Sequence, residues 1–161
     1  MYQEILAKII TVDDLETMLT ELEELERSLY ENKGDGLSYV LKNKVRFWLS
    51  ELMIEEVGRS NLDWQSYIAG LKERVKLLEK FSLTLAFEPS RGFLTRVHRF
   101  VCEAAGRHLI INLAYDPTLI GGVVMSFQGR FKDFSFKKIF EEEFNSGKKK
   151  FLEIIKTSNL S

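Results

Sequence analysis

Two histidines, one cysteine and several paired carboxylates are the residues whose types could do chemistry in this sequence. His98 and His108 could act as acid–base groups or metal ligands, but neither has a Cys or acidic residue at a familiar ligand spacing. His98 reads as part of a basic helical face with Arg91, Arg96 and Arg99, and His108 as the start of a strand. Cys102 reads as a small, half-buried hydrophobe, because a nucleophile needs an identifiable base and the sequence points to none. Glu23-Glu24 and Glu55-Glu56 are of the right type for general acid–base work, but on long helices such pairs form solvated faces. Gly121-Gly122 lacks the glycine spacing of a dinucleotide fingerprint and the following lysine and hydroxyl of a triphosphate loop, so a close strand crossing or bulge is expected. Lys148-Lys149-Lys150 could meet an acidic partner or lipid headgroups, or simply keep a terminus soluble. Trp48 and Trp64 read as core or interface anchors. No catalytic residue, metal site or cofactor is expected, which leaves apolar helix faces as the functional candidates.

The 161 residues are 45% hydrophobic, enough for one substantial core or two small ones. The net charge of −1 is unevenly placed. Residues 1–80 hold 16 acidic and 11 basic side chains (−5), and the remainder 8 acidic and 12 basic (+4). That split favours docking between the halves or two different partners, and is too weak a positive field to indicate nucleic acid. A single cysteine excludes an internal disulfide and suits a reducing compartment. No signal peptide or bilayer-length apolar run is evident, so a cytoplasmic location is expected, with room for a place beside a membrane in an assembly.

The elements that must position these residues follow from periodicity. Ile5, Leu6, Ile9 and Ile10 form a short helical stripe. Thr11 is the expected N-cap of a long helix, with Asp14 three residues later, and Val12, Leu15, Met18, Leu19, Leu22, Leu25 and Leu29 recur every three or four positions. Residues 32–36 end it. A second helix is expected over 37–57, stopped by Gly58, and a third after a cap at Ser60 or Asn61, with Leu62, Ile68, Leu71, Val75 and Leu78 inward. The spacing changes near residue 80: Leu83, Leu85 and Phe87 alternate with polar or small residues as in a half-buried strand. A helix follows with Phe93, Leu94, Val97, Phe100, Val101 and Ala104 as its stripe and Gly106 at its end. Leu109, Ile111, Leu113 and Tyr115 then alternate, Asp116-Pro117 signals a turn, Val123 to Phe127 forms a strand, and Gln128-Gly129 turns into a return strand. Asp133 or Ser135 is expected to cap a helix over 134–144 with Phe136, Ile139, Phe140 and Phe144 inward, and residues 148–161 could hold one more. The expected fold is α+β: an antiparallel helical bundle over 1–80, then a strand-helix-strand-strand-strand-helix domain over 81–161.

The ordered series from Phe81 to Phe140 resembles the C-terminal domain of the delta subunit of F-type ATP synthases, the family of the oligomycin-sensitivity-conferring protein. The residues that carry the resemblance are Asp116-Pro117-Thr118-Leu119-Ile120-Gly121-Gly122, the Val-rich strand, the Gly129 turn, and Asp133-Phe134-Ser135 opening the last helix. It covers a little over a third of the chain. The family's N-terminal bundle has six helices, whereas the length before the first strand here holds about four, and the chain continues past Gly147. The resemblance implies a non-catalytic stator subunit in a membrane-associated complex for ATP synthesis by ion transport. Its bundle would bind the F1 alpha subunits, here through Leu15, Leu22, Leu25 and Leu29. Its C-terminal domain would bind the b subunits of the peripheral stalk through Val123, Val124, Phe127 and the stripe of the last helix. An E-like stalk subunit of an archaeal or vacuolar-type ATPase and a standalone helical adaptor are the other readings.

Overall fold

The computed structural model describes residues 1–31, 35–60, 62–119 and 121–134. Its elements in chain order are α1 (Gln3–Leu6), α2 (Val12–Glu31), α3 (Asp35–Asn43), α4 (Phe47–Ser60), α5 (Trp64–Lys76), β1 (Glu79–Leu85), α6 (Arg91–Ala105), β2 (Leu109–Tyr115), β3 (Val123–Phe127) and β4 (Arg130–Asp133). This is an α+β fold with its helical part first. The chain forms two compact units. The first comprises residues 1–80 and 94–111, the second residues 81–93 and 112–161. The expected single cut at residue 80 is therefore one of several crossings. Residues 94–111 belong with the first unit because Ile110 joins its buried cluster and the Ile111 N–H donates to the Ile10 carbonyl at 2.8 Å.

In the first unit α2 starts as its sequence specifies. The Thr11 hydroxyl accepts from Asp14 N–H at 3.2 Å, and the Asp14 carboxylate accepts from the backbone N–H groups of Thr11 (3.0 Å) and Ile10 (3.1 Å), a reciprocal capping box. The α2 stripe is buried at Leu15, Met18, Leu22 and Leu25, and α2 packs against α3 and α5. Val40, Leu41, Val45, Leu49 and Met53 complete that core with Tyr67, Ile68, Leu71 and Val75.

The helix expected over 37–57 is two helices, α3 and α4, separated at residues 44–46. The reason lies on α2. The Glu21 carboxylate, buried, accepts from the Arg46 backbone N–H at 2.8 Å and from its guanidinium at 2.7–2.9 Å. A side chain from another helix thus satisfies a backbone donor at the start of α4. Gly58, expected to stop the helix, lies inside α4, which continues to Ser60. The cap of α5 is Asp63, whose carboxylate accepts from Ser66 N–H at 2.8 Å, and not Ser60; Asn61 lies outside the described residues.

The second unit holds most of a four-stranded sheet in the order β2-β1-β3-β4. β3 is antiparallel to both neighbours, with Leu83 opposite Met125, Leu85 opposite Val123, and Ser126 opposite Phe131. β1 begins at Glu79 and ends at Leu85, so Phe87 lies beyond it, exposed and edge-on to Phe93 at 5.8 Å. Phe81, Leu83 and Leu85 are buried in the expected alternation, but in β2 Leu109, Ile110 and Ile111 are all buried, which breaks it. Gln128 and Gly129 have φ of 48° and 76°, the left-handed pair of a two-residue hairpin turn. Among the described residues no helix is long and apolar enough to cross a membrane.

Three substitutions check this account. Arg46→Ala leaves a buried carboxylate with one of its four hydrogen bonds and is expected to cost about 2–4 kcal/mol in urea unfolding, after allowance for the partial exposure of the arginine. Gly58→Ala meets nothing within 4 Å on an exposed helical surface and should gain about 0.5–1 kcal/mol. Gly70→Ala should lose stability, because its Cβ would stand 2.6 Å from the Tyr2 hydroxyl, which itself donates to the Tyr67 carbonyl.

Candidate interaction surface

The turn that carries the family resemblance is built by one side chain and two glycines. The Asp116 carboxylate accepts from Thr118 N–H at 2.9 Å and from the Thr118 hydroxyl at 2.6 Å, and these bonds hold its pKa below the ordinary aspartate range. Asp116 N–H donates to the Leu85 carbonyl at 2.9 Å, which ties the turn to the end of β1. Gly121 and Gly122 have φ of 65° and 81°, where a Cβ would be strained, and deliver the chain into β3. Pro117 is exposed on this turn, and Gly129 makes the following one.

The strand residues expected to meet a stalk subunit divide between two faces. Val123 and Phe127 share the side of the buried Leu83 and Leu85, whereas Val124 shares the side of Ser82, Thr84 and Phe131. All three are half-buried, and Phe131 beside them is 65% exposed. Asp133 is the last residue of β4 and pairs with Val124. Ser135, Phe136, Ile139, Phe140 and Phe144 lie outside the described residues.

On the first unit, Leu15, Leu22 and Leu25 are buried and Leu29 packs against the same cluster. A partner contact through these side chains would require opening that core, because the stripe that looks unpartnered on one helix is satisfied by α3 and α5. Part of the apolar surface left open lies on α4, where Trp48, Leu52 and Ile54 line a groove of about 610 Å³ together with Glu4, Lys8, Glu51 and Glu55. The Lys8 ammonium stands over the Trp48 ring at 5.5 Å, with the Arg46 guanidinium also over it at 5.0 Å.

Two titratable groupings differ from the sequence reading. Glu56 is not on a solvated face: its carboxylate accepts from Tyr2 N–H at 3.0 Å and from the Tyr67 hydroxyl at 2.6 Å. Burial and that carboxylate push the Tyr67 phenol far above the usual tyrosine value, so it stays a donor. His98 is buried and not on a basic face, while Phe100, expected inside, is 70% exposed. The buried line of α6 runs from Leu94 to His98 and on to the half-buried Cys102, an i, i+4 progression, and His108 stands next to this pair. The four-residue spacing of His98 and Cys102 was the available signal.

No protein-family model and no curated protein matches the chain. Among solved structures, a chain from a cryo-EM structure of the Polytomella F-ATP synthase, in primary rotary state 3, aligns at 24% identity. The match covers 47% of this chain and 98% of that one with a TM-score of 0.41, a likeness too slight to carry a role across.

Asp116 gives the turn a pH dependence of known sign. Its folded pKa is depressed, so its contribution is present above the ordinary aspartate value and is lost as pH falls through the folded value. Asp116→Asn keeps an acceptor and removes the titration. Thermal unfolding followed from neutral pH to pH about 3 should show a smaller acid-induced fall in Tm for this variant than for the parent chain.

Proposed function

We propose that this chain is a non-catalytic stator subunit of an F-type rotary ATP synthase, delta-like, tying the catalytic head to the peripheral stalk. One observation carries the reading. The Asp-Pro-Thr-Leu-Ile-Gly-Gly string stands between a strand-helix-strand series and a Val-rich strand, as in the family it resembles, and each of its described turn-forming residues has a geometric task there: the Asp116 carboxylate closes the turn, and two glycines at positive φ enter β3. The role is mechanical. Torque on the head must be resisted by a linker that holds at both ends, so affinity would come from buried apolar anchors, with charge guiding registry.

The stalk contact is assigned to the hairpin of β3 and β4, through Val124 and its neighbour Phe131, together with the segment 134–144. The head contact is assigned to the α4 groove in place of the α2 stripe, because its apolar lining is open and the stripe is not. Its three glutamates outnumber its one lysine, which suits a basic amphipathic helix from an alpha subunit. In such a complex the chain would lie peripheral to the membrane and would need neither nucleotide nor cofactor.

A tagged pull-down from the native host, read by mass spectrometry, tests both contacts. Alpha and b subunits should be recovered together. Ile54→Asp should selectively lose alpha, and Phe131→Asp should selectively lose b. Both positions are more than half exposed, so the variants should remain folded by circular dichroism. Recovery of neither subunit by the parent chain would overturn the stator reading and leave a helical adaptor with another partner.

A further inference from the structure

We propose that His98, Cys102 and His108 form a binding site for a divalent transition-metal ion of the zinc class, held by two imidazole nitrogens and one thiolate. The site lies within the first compact unit and is independent of the stator reading. One potential ligand atom from each residue lies within 4.8 Å of those of the other two, and no other group of three or more His, Cys, Asp or Glu among the described residues stands this way. In a tetrahedral zinc site with metal–ligand bonds of about 2.0–2.3 Å, neighbouring ligand atoms stand about 3.3–3.8 Å apart. The His98 Nε2 to Cys102 Sγ distance is 3.4 Å. Two members are therefore already at chelating separation, and a ligand atom of the third lies within 4.8 Å of both.

The backbone builds this grouping through a helix ending. His98 and Cys102 occupy successive turns of one face of α6. The helix then closes with a Schellman motif: Gly106 has φ of 65°, its N–H donates to the Glu103 carbonyl at 3.3 Å, and Arg107 N–H donates to the Cys102 carbonyl at 3.3 Å. That reversal returns His108 to the same helical face, its ring edge-on to His98 with centroids 4.9 Å apart. Arg107 is held by an ion pair to Glu79 at 2.7 Å, which anchors the turn on its outer side.

The outer contacts of the cluster are set by backbone. Leu109 N–H donates to Cys102 Sγ at 3.3 Å, and the thiol donates to the Leu109 carbonyl at 3.6 Å. His108 Nε2 lies 3.1 Å from the Ile9 carbonyl, which can only accept. Nε2 must carry the proton, and in the neutral ring the lone pair is on Nδ1. This is the outer-shell bond that sets the tautomer of metal-binding histidines. Binding is a balanced exchange: the ion displaces the Cys102 thiol proton to solvent, two neutral imidazoles donate lone pairs, and water completes the coordination. His108 also joins Ile9 of the segment before α2, so the ion would brace the end of α6 against the start of the chain.

The test uses the full chain, reduced and stripped with chelator, titrated with Co²⁺. One equivalent should produce a thiolate-to-cobalt charge-transfer band with the ligand-field absorption of a four-coordinate ion, both erased by Zn²⁺. Zn²⁺ should raise Tm. Cys102→Ser should abolish the charge-transfer band while leaving the far-ultraviolet circular dichroism intact, and His108→Gln should weaken binding by more than about tenfold. If the folded parent chain shows no such band, the three residues are a hydrogen-bonded cluster only and the proposal fails. It fails equally if the band survives Cys102→Ser. Should His98→Gln not fold, the isosteric Cys102 variant still decides.

Discussion

The first unit depends on one buried carboxylate. Glu21 lies on the helix whose leucines form the centre of the core, and it reaches across to the backbone and guanidinium of Arg46. A charged group in that position is costly unless its acceptor sites are filled, and here a backbone N–H and a guanidinium fill them. The break between α3 and α4 supplies those donors. Beyond the break, α4 buries Leu49 and Met53 and leaves Phe47 and Ile54 outside. The groove assigned to a head subunit is a consequence of that geometry, and so is the stack of Arg46 on Trp48.

The same economy governs the apolar stripes. A single helix with leucines every third or fourth residue always looks in need of a partner. Whether the partner is another helix of the chain or another protein depends on which faces meet. In the first unit the α2 stripe is consumed internally, and the residues left for binding are fewer and less periodic. In the second unit the hairpin register decides the matter residue by residue: Val123 and Val124 are neighbours in sequence and lie on opposite faces of the sheet. A contact assigned to a strand as a whole must be divided accordingly.

The grouping of His98, Cys102 and His108 shows how a helix ending can make a site. Neither histidine carries a recognisable ligand pattern when the ten-residue interval is read along the chain. A helical face aligns the first two, and a glycine in the left-handed region returns the third to them. The geometry is local, which is why one glycine and one i, i+4 pair suffice to define it.

Residue type and spacing alone specify what depends on near neighbours: the capping box of Thr11 and Asp14, α6 and its Gly106 ending, the Asp116 turn, and the Gln128-Gly129 hairpin. In each, the partners lie within a few residues, so residue type and spacing carry the physics. The tertiary structure decided what depends on distant partners. Glu21 divides a helix whose own periodicity is unbroken. Glu56, which reads as a surface charge, receives Tyr2 and Tyr67. His98 turns to the buried side, and Leu109 to Ile111 are covered on both faces against the alternation of a half-exposed strand. Periodicity reports that a face is apolar, and desolvation by a remote element determines which polar groups must also be enclosed there and what satisfies them.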